Sequence, residues 1–161
     1  MINIKIMRNI SFFIIFIFGV LLDQLTKYWA FIYLKPITSY PLINDIFHLT
    51  YRENTGAAFS ILEGKIPFFI IVNIIVTIFI IYIIVTKKVT NLAGCYALVF
   101  IVTGGIGNAI DRITRGFVVD MFDFTLINFA VFNVADSFIT CGSLLFVILY
   151  LVTKGDMIKW N

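Results

Sequence analysis

The sequence predicts an all-α polytopic membrane protein with four transmembrane helices and a small extracytoplasmic β-sheet or loop element. We expect a single integral-membrane domain over residues 1–161. Hydrophobic residues make up 61% of the chain and charged residues 13%, whereas soluble domains average ~45–50% apolar and ~25% charged. A soluble domain of this length has too little interior to bury so much apolar surface. A soluble enzyme, a disordered chain and a disulfide scaffold are therefore excluded.

The predicted spans are long apolar runs, since a helix needs about 20 mostly apolar residues to cross a bilayer. Four runs meet that length, near residues 10–34, 66–85, 92–112 and 134–152. The second has Pro67 near its start, where a helix tolerates proline. An alternative for the first run is a secretory signal peptide, with Lys5 and Arg8 as its positive flank. No small-x-small cleavage site follows that run, which favours a span.

Charged residues indicate the orientation of the spans. Four spans place both termini on one side, together with the connection between the second and third spans. These parts carry Lys5, Arg8, Lys87, Lys88, Lys154 and Lys159, with Asp156 as their acid. The other segments, near 35–65 and 113–133, hold more acids than bases. Because basic residues favour the cytoplasmic side, we expect cytoplasmic termini. The net charge of +3 thus reflects topology, and we expect no nucleic-acid partner.

The two outer segments contain patterns typical of strands. Apolar and polar residues alternate from Phe47 to Arg52, which predicts a half-buried strand, with an irregular loop as the alternative. Asn54-Thr55-Gly56 follows with turn chemistry. In the second segment, the run 118–124 embeds two acids in apolar residues, which suits a strand or a segment dipping into the interface. We expect a short sheet on the membrane surface, with its apolar face toward lipid or substrate.

Several polar residues lie within or at the ends of the spans, where an ionisable group needs a partner or a purpose. Asp23 and Lys27 share one helical face, which predicts a structural ion pair or, alternatively, a substrate-facing role. Asn108, Asp111 and Arg112 also share a face. They follow Gly104, Gly105 and Gly107, which permit close approach of a ligand or of another helix.

At the start of the fourth span, Asn133 and Asp136 form another pair on one helical face. A polar side chain or carboxylate there is favoured by the free N–H groups and the helix dipole. The pair is therefore explained either as an N-terminal cap or as part of a site.

Carboxylate chemistry is the chemistry that these residue types allow. Cys95 and Cys141 are expected to be buried mid-span, which makes thiol catalysis implausible. His48 is the single histidine, so a zinc site built on paired histidines is excluded. Two carboxylates close together share a proton and can activate water for amide hydrolysis. The spacing alone does not choose between the eligible acids. These are Asp23, Asp111, Asp120, Asp123 and Asp136.

Five motifs in order resemble those of the lipoprotein signal peptidase family (signal peptidase II), over essentially the whole chain. They stand at Asp23–Lys27, Asn54–Ser60, Gly104–Arg112, Val118–Asp123 and Phe132–Ser137. Members of this family are aspartic endopeptidases of the bacterial cytoplasmic membrane. Two departures are small: Gly105 stands where alanine is usual, and Met121 where phenylalanine is usual.

The resemblance implies roles for individual residues. Asp120 and Asp136 correspond to the catalytic dyad, without metal or cofactor. The residues implied to line the site and contact substrate are Asn54, Gly56, Asn108, Arg112 and Asn133. Polar support is implied for Asp23, Lys27 and Asp111. In the mechanism we expect Arg112 to orient substrate carbonyls and to pair with Asp111.

The resemblance also implies a substrate and a location. The substrate would be a diacylglyceryl-modified prolipoprotein, cleaved just before its lipidated cysteine near the outer leaflet interface. Membrane lipids would be the other partner of a monomeric enzyme. Two alternatives have other chemistries. A CDP-alcohol phosphotransferase also clusters aspartates, but its Asp-x-x-Asp-Gly element is absent here. An ion-coupled carrier commonly shows internal repeats, and none is visible.

Overall fold

The computed structural model describes residues 4–57 and 61–159. Its helices are α1 (Ile4–Trp29), α2 (Ile66–Val85), α3 (Leu92–Arg115) and α4 (Val134–Val152). All four are long and apolar enough to cross a membrane. The predicted fold class is confirmed, with shifted bounds for two spans. The first begins before residue 10 and ends in one π-helical turn, Ala30–Leu34. The third runs on to Arg115.

α3 is the central helix of the bundle. It packs against α1, α2 and α4. In its most apolar stretch of 18 residues, 56% of the residues are buried, against 11% in the corresponding stretch of each other span. Those helices expose large apolar side chains such as Phe13, Ile78 and Leu151. In a membrane these exposed side chains face lipid, so the buried positions of α3 mark where polar groups are sheltered.

Small residues allow α3 and α4 to pack closely. A Cβ atom at Gly104 would overlap the carbonyl oxygen of Ala135, and one at Gly142 would lie 2.6 Å from the carbonyl oxygen of Ala97. Both obstacles are backbone atoms, which cannot rotate away. The glycines of the third span therefore serve helix packing, as the alternative interpretation of that motif proposed.

A three-stranded antiparallel sheet lies beside the helices, in the order β1 (Ser39–Ile43), β2 (Phe47–Asn54) and β3 (Val118–Asp123). The strand predicted over Phe47–Arg52 is confirmed and runs on to Asn54. The run 118–124 also forms a strand, over Val118–Asp123. β1 was not predicted. Pro41 lies in it, which an edge strand permits because one side of that strand is unpaired.

The burial of β2 does not alternate as its sequence does. Leu49 and Tyr51 pack against the cluster that includes Leu34. On the opposite face, the Thr50 hydroxyl donates to Asp123 Oδ2 at 2.8 Å. Both faces are therefore half-covered.

Both described ends of the chain lie at the same end of the bundle, opposite the sheet. The Ser11 hydroxyl lies 2.8 Å from the Tyr96 hydroxyl, which ties the first half of α1 to the start of α3. After α4, Ile158 pairs with Val89, and Lys159 N donates to the Lys88 carbonyl at 2.8 Å. The last described residues thus close over the connection between α2 and α3.

The two neighbouring glycines of α3 provide a test of this packing. We expect Gly104→Ala to destabilise the fold by about 1–3 kcal/mol, because backbone of α4 blocks the added methyl group. Gly105→Ala should cost less, because its methyl group meets the Asn73 side-chain amide, which can rotate. Unfolding in mixed micelles, followed by near-ultraviolet circular dichroism, measures both. Equal losses for the two variants would contradict the packing argument.

Candidate active site

A fully buried ammonium group lies at the centre of the polar interior. Lys27 Nζ lies 2.9 Å from Asp23 Oδ2 and 3.6 Å from Asp111 Oδ2. It also donates to Asn108 Oδ1 at 2.9 Å. All three charged side chains are at most 1% exposed. The predicted Asp23–Lys27 ion pair is therefore present, within a larger cluster that joins α1 to α3.

Each acid of this cluster also holds a backbone amide of another element. Asp23 Oδ1 accepts from Ala135 N at 2.9 Å, at the start of α4. Asp111 Oδ2 accepts from Val119 N at 3.0 Å, next to Asp120 in β3. Asp23 can lie this close to α3 because Gly107 has no side chain. A Cβ atom at that position would lie 2.5 Å from Asp23 Oδ2. The ionic cluster thus fixes α4 and β3 relative to α1 and α3.

Asn108 connects the ionic cluster to Asp136. Its oxygen accepts from Lys27, so its Nδ2 group turns the other way and donates to Asp136 Oδ1 at 2.7 Å. The same oxygen accepts from Asn133 Nδ2 at 3.3 Å. The lysine therefore sets which end of this amide faces the carboxylate.

Asn133 links the two acids of the site. Its Nδ2 group donates to Asp120 Oδ1 at 2.6 Å. Its backbone N–H donates to Asp136 Oδ2 at 3.2 Å, and its Oδ1 accepts from Asp136 N at 2.9 Å. The last two bonds form a capping box at the start of α4. The sequence left open whether Asn133 and Asp136 form an N-terminal cap or part of a site. In the structure the same two residues do both.

Asp120 is almost completely buried and held on both carboxylate oxygens. Asn54 Nδ2, at the end of β2, donates to its Oδ2 at 2.9 Å. Burial, together with the charge of Asp136, raises the pKa of Asp120 to about 7. The hydrogen bonds from Asn54 and Asn133 act in the opposite direction and are weaker. At neutral pH this carboxyl group is therefore poised between its two protonation states.

A cavity of about 440 Å³ opens beside these acids. It is lined by Asp120 and Asp136, by Asn54, Gly56, Asn108 and Arg112, and by apolar residues that include Phe129, Phe132 and Ile139. Such a combination of apolar walls with a few convergent polar groups is typical of a ligand site. Of the residues implied to contact substrate, only Asn133 does not line the cavity, and it lies directly behind Asp120.

Arg112 does not contact the partner that we expected for it. It was expected to pair with Asp111, but its Nη2 group donates to the Gly56 carbonyl at 2.8 Å. Asp111 pairs instead with Arg115, at 3.3 Å. The expectation was wrong because Arg112 extends toward the cavity, where its guanidinium group stacks 4.8 Å from the ring centroid of Phe69.

Geometry also separates the five eligible acids. Asp23 and Asp111 belong to the ionic cluster, and Asp123 accepts from Thr50 on the sheet. Asp120 and Asp136 remain as the two that line the cavity.

Some residues were misjudged or missed from the sequence. Cys141 was expected to be buried, but it is exposed and lines the cavity; Cys95 is buried, near the start of α3 and not mid-span. Gln24 was given no role, yet its amide donates to Asp23 and to the Gly107 carbonyl, both at 3.1 Å. The helical spacing of Arg115 from Asp111 was the available signal for their pair.

Asn54 also makes the predicted turn, since its Oδ1 accepts from Gly56 N at 2.9 Å. The rest of that motif, Ala58, Phe59 and Ser60, lies outside the described residues.

Comparison with known proteins decides the family. The family model described as signal peptidase II matches residues 15–152. The chain belongs to the signal peptidase II family. The lipoprotein signal peptidase of Caldanaerobacter subterraneus subsp. tengcongensis is 48% identical over 142 residues, which are 88% of this chain and 97% of that protein. That of Clostridioides difficile (strain 630) is 44% identical over 131 residues, 81% of this chain and 87% of that protein.

The fold of this signal peptidase II family member is also that of solved proteins. A bacterial membrane enzyme solved by the in meso method at 2.3 Å resolution superimposes with a TM-score of 0.80. It is 34% identical, and the match covers 94% of this chain and 93% of that one. The resemblance read from the motifs is confirmed. The protein is a multi-pass bacterial membrane peptidase, which excludes the phosphotransferase and carrier alternatives.

The buried ammonium group gives a test of the ionic cluster. We expect Lys27→Met to destabilise the protein by about 3–5 kcal/mol, because it leaves buried carboxylates uncompensated. The matched control is Lys35→Met. Lys35 pairs with Glu53 at 2.9 Å, but the two side chains are 47% and 39% exposed, so its loss should cost about 0–1 kcal/mol. Unfolding in mixed micelles measures both, and a Lys27 variant as stable as the control would refute the assignment.

Proposed function

We propose that this chain removes the signal peptide from prolipoproteins whose cysteine carries a diacylglyceryl group, cleaving just before that cysteine. The family and the names of its relatives support the substrate class. The observation that carries the mechanism is the joint placement of Asp120 and Asp136 on one cavity, bridged by Asn108 and Asn133.

Asp120 and Asp136 act as a general acid and a general base. The ionised carboxylate takes a proton from a bound water, whose oxygen attacks the scissile carbonyl carbon. The protonated carboxyl donates its proton to the carbonyl oxygen, which gives a tetrahedral intermediate. As the C–N bond breaks, the carboxyl group that took a proton from water passes it to the leaving amine. The other carboxylate takes back a proton from a hydroxyl group of the intermediate, which restores the pair. The raised pKa of Asp120 favours this residue as the one that starts protonated, although the pair titrates as a coupled unit.

Arg112, Asn54 and Gly56 position the substrate. The Arg112 Nε atom is buried and has no hydrogen-bond partner among the described residues, so it is available to a peptide carbonyl in the cavity. Asn54 bonds Asp120 and also holds the turn at Gly56. The end of β2 would thereby clamp the peptide against the dyad. Asp23, Lys27 and Asp111 support the site without touching substrate.

The lipid group of the substrate determines where the site should lie. A diacylglyceryl chain arrives laterally from the bilayer, whereas the dyad needs water. We therefore place the cavity near the outer leaflet interface and both termini in the cytoplasm, in agreement with the basic residues at that end. The sheet is then extracytoplasmic, and its buried apolar side chains pack against the end of the first span.

Two carboxylates and a water suffice for the hydrolysis, so the reaction proposed here uses no metal or cofactor. A single integral-membrane domain over residues 1–161 supplies every group named in the mechanism. We therefore propose that the enzyme acts as a monomer, with membrane lipids and the prolipoprotein as its partners.

Substitution of each dyad acid tests the mechanism. We expect Asp120→Asn and Asp136→Asn each to lower the cleavage rate of a diacylglyceryl-prolipoprotein by at least about 100-fold, because each removes an acid–base group. Asp123→Asn is the matched control, since this acid lies on the same strand as Asp120 but bonds Thr50. It should cleave at near the unmodified rate. Near-unmodified cleavage by either dyad variant would show that the dyad is assigned wrongly.

The pH dependence of the rate follows from Asp120. If this residue supplies the proton, kcat/KM should fall as the pH rises through about 7, its raised pKa. Initial rates across that range, with the lipid environment held constant, measure the fall. A rate that stays constant through this range would exclude Asp120 as the acid.

Stability should follow the same group. The pKa of Asp120 rises from 3.8 in the free side chain to about 7 on folding, so the native state binds more protons between these values. The contribution of Asp120 to the free energy of unfolding is fully present below the lower pKa, and it is lost as the pH rises through the upper one. The free energy of unfolding of the unmodified enzyme should therefore fall as the pH rises between 3.8 and about 7. The Asp120→Asn variant should lack this fall.

A further inference from the structure

A second cavity lies between α1, α2 and α3, in the half of the bundle that holds the two described termini. It is a groove of about 350 Å³. Its walls are Phe12, Phe13 and Phe16 of α1, Thr77, Ile81, Ile84 and Val85 of α2, and Val99, Val102 and Ile106 of α3. α1 and α2 both pack on α3 but scarcely touch each other. The groove is the gap between them, and it faces the hydrocarbon of the membrane.

The length of the groove matches one leaflet. Its wall on α2 runs from Thr77 to Val85, which is about 12 Å at 1.5 Å rise per residue. Half of the hydrocarbon core of a bilayer is about 15 Å thick. The groove therefore spans most of the depth of the leaflet nearest the two termini. A single acyl chain lying along the helices fits this space, since the lining is apolar apart from Thr77.

Two basic residues lie next to residues that line the groove. The Arg8 guanidinium carbon lies 5.9 Å from the ring centroid of Phe12, a wall residue. Arg8 Nε is buried and has no hydrogen-bond partner among residues 4–57 and 61–159, and no ion pair of Arg8 occurs there either. On the other wall, exposed Lys87 follows Val85 closely in the chain.

A buried guanidinium N–H without a partner costs free energy, and a phosphate oxygen is the acceptor that best suits it. We propose that Arg8 and this groove bind one anionic phospholipid, with the phosphate on the guanidinium group and one acyl chain between α1 and α2. The site is separate from the dyad and does not depend on the proposed function. The bound lipid fills the gap that the helices leave and holds the terminal end of α1 against α2 and α3.

Native mass spectrometry of the full chain in detergent tests the headgroup. The probes are phosphatidylglycerol and phosphatidylcholine with identical acyl chains. We expect the unmodified protein to retain phosphatidylglycerol more tightly, and Arg8→Gln to weaken that retention about fivefold. Lys154→Gln is the control: it removes an exposed cation at the same end, beyond α4, and should change nothing. Equal retention of both lipids, or equal losses in both variants, would overturn the site.

A second pair of variants tests the acyl chain. Ile81 and Ile74 are both on α2 and are 50% and 49% exposed, but only Ile81 lines the groove. We expect Ile81→Trp to fill the groove and lower retention of phosphatidylglycerol at least threefold, and Ile74→Trp to leave it unchanged. Thermal unfolding without added lipid checks that both variants fold. Competition by water-soluble glycerol phosphate as strong as that by the whole lipid would show that the groove takes no acyl chain.

Discussion

The buried ammonium group of Lys27 is the interaction on which the rest of the structure depends. It balances Asp23 and Asp111, which in turn hold backbone amides of α4 and β3. It also orients Asn108, whose amide then faces Asp136. A charge buried this deeply survives only when its partners are in place. The same requirement that assembles the helices therefore sets the geometry around Asp120 and Asp136, the proposed dyad.

The fold supplies this cluster from elements that are distant in the chain. α3 lies at the centre, and glycine at position 104 brings the start of α4 against it. The sheet adds a third direction of approach, because β2 ends at Asn54 beside Asp120 of β3. Helix packing thus places Asp136, and strand pairing places Asp120. Neither acid is positioned by its own element alone.

Local rules explain what could be predicted from the sequence. Length and hydropathy predicted four spans, helical spacing predicted the Asp23–Lys27 pair, and alternation predicted β2. Three of the failures are non-local, whereas the missed Asp111–Arg115 pair had a local signal in its helical spacing. β1 forms because β2 offers it an edge, Arg112 turns to Gly56 because the cavity lies there, and Cys141 faces that cavity and not a neighbouring helix. Spacing could not choose among the acids either, because Asp120 and Asp136 are joined through Asn108 and Asn133 by contacts that arise when the chain folds.

The capping box at the start of α4 has a consequence for turnover. Asp136 accepts the backbone N–H of Asn133 with one oxygen and faces the cavity as a member of the proposed dyad. An ionised carboxylate accepts such a bond more strongly than a protonated one. Each proton that Asp136 gains during the proposed reaction weakens the first turn of α4, and each proton it loses tightens that turn again. The carboxylate of Asp136 thereby takes part both in the proposed proton transfer and in the stability of the first turn of a membrane helix.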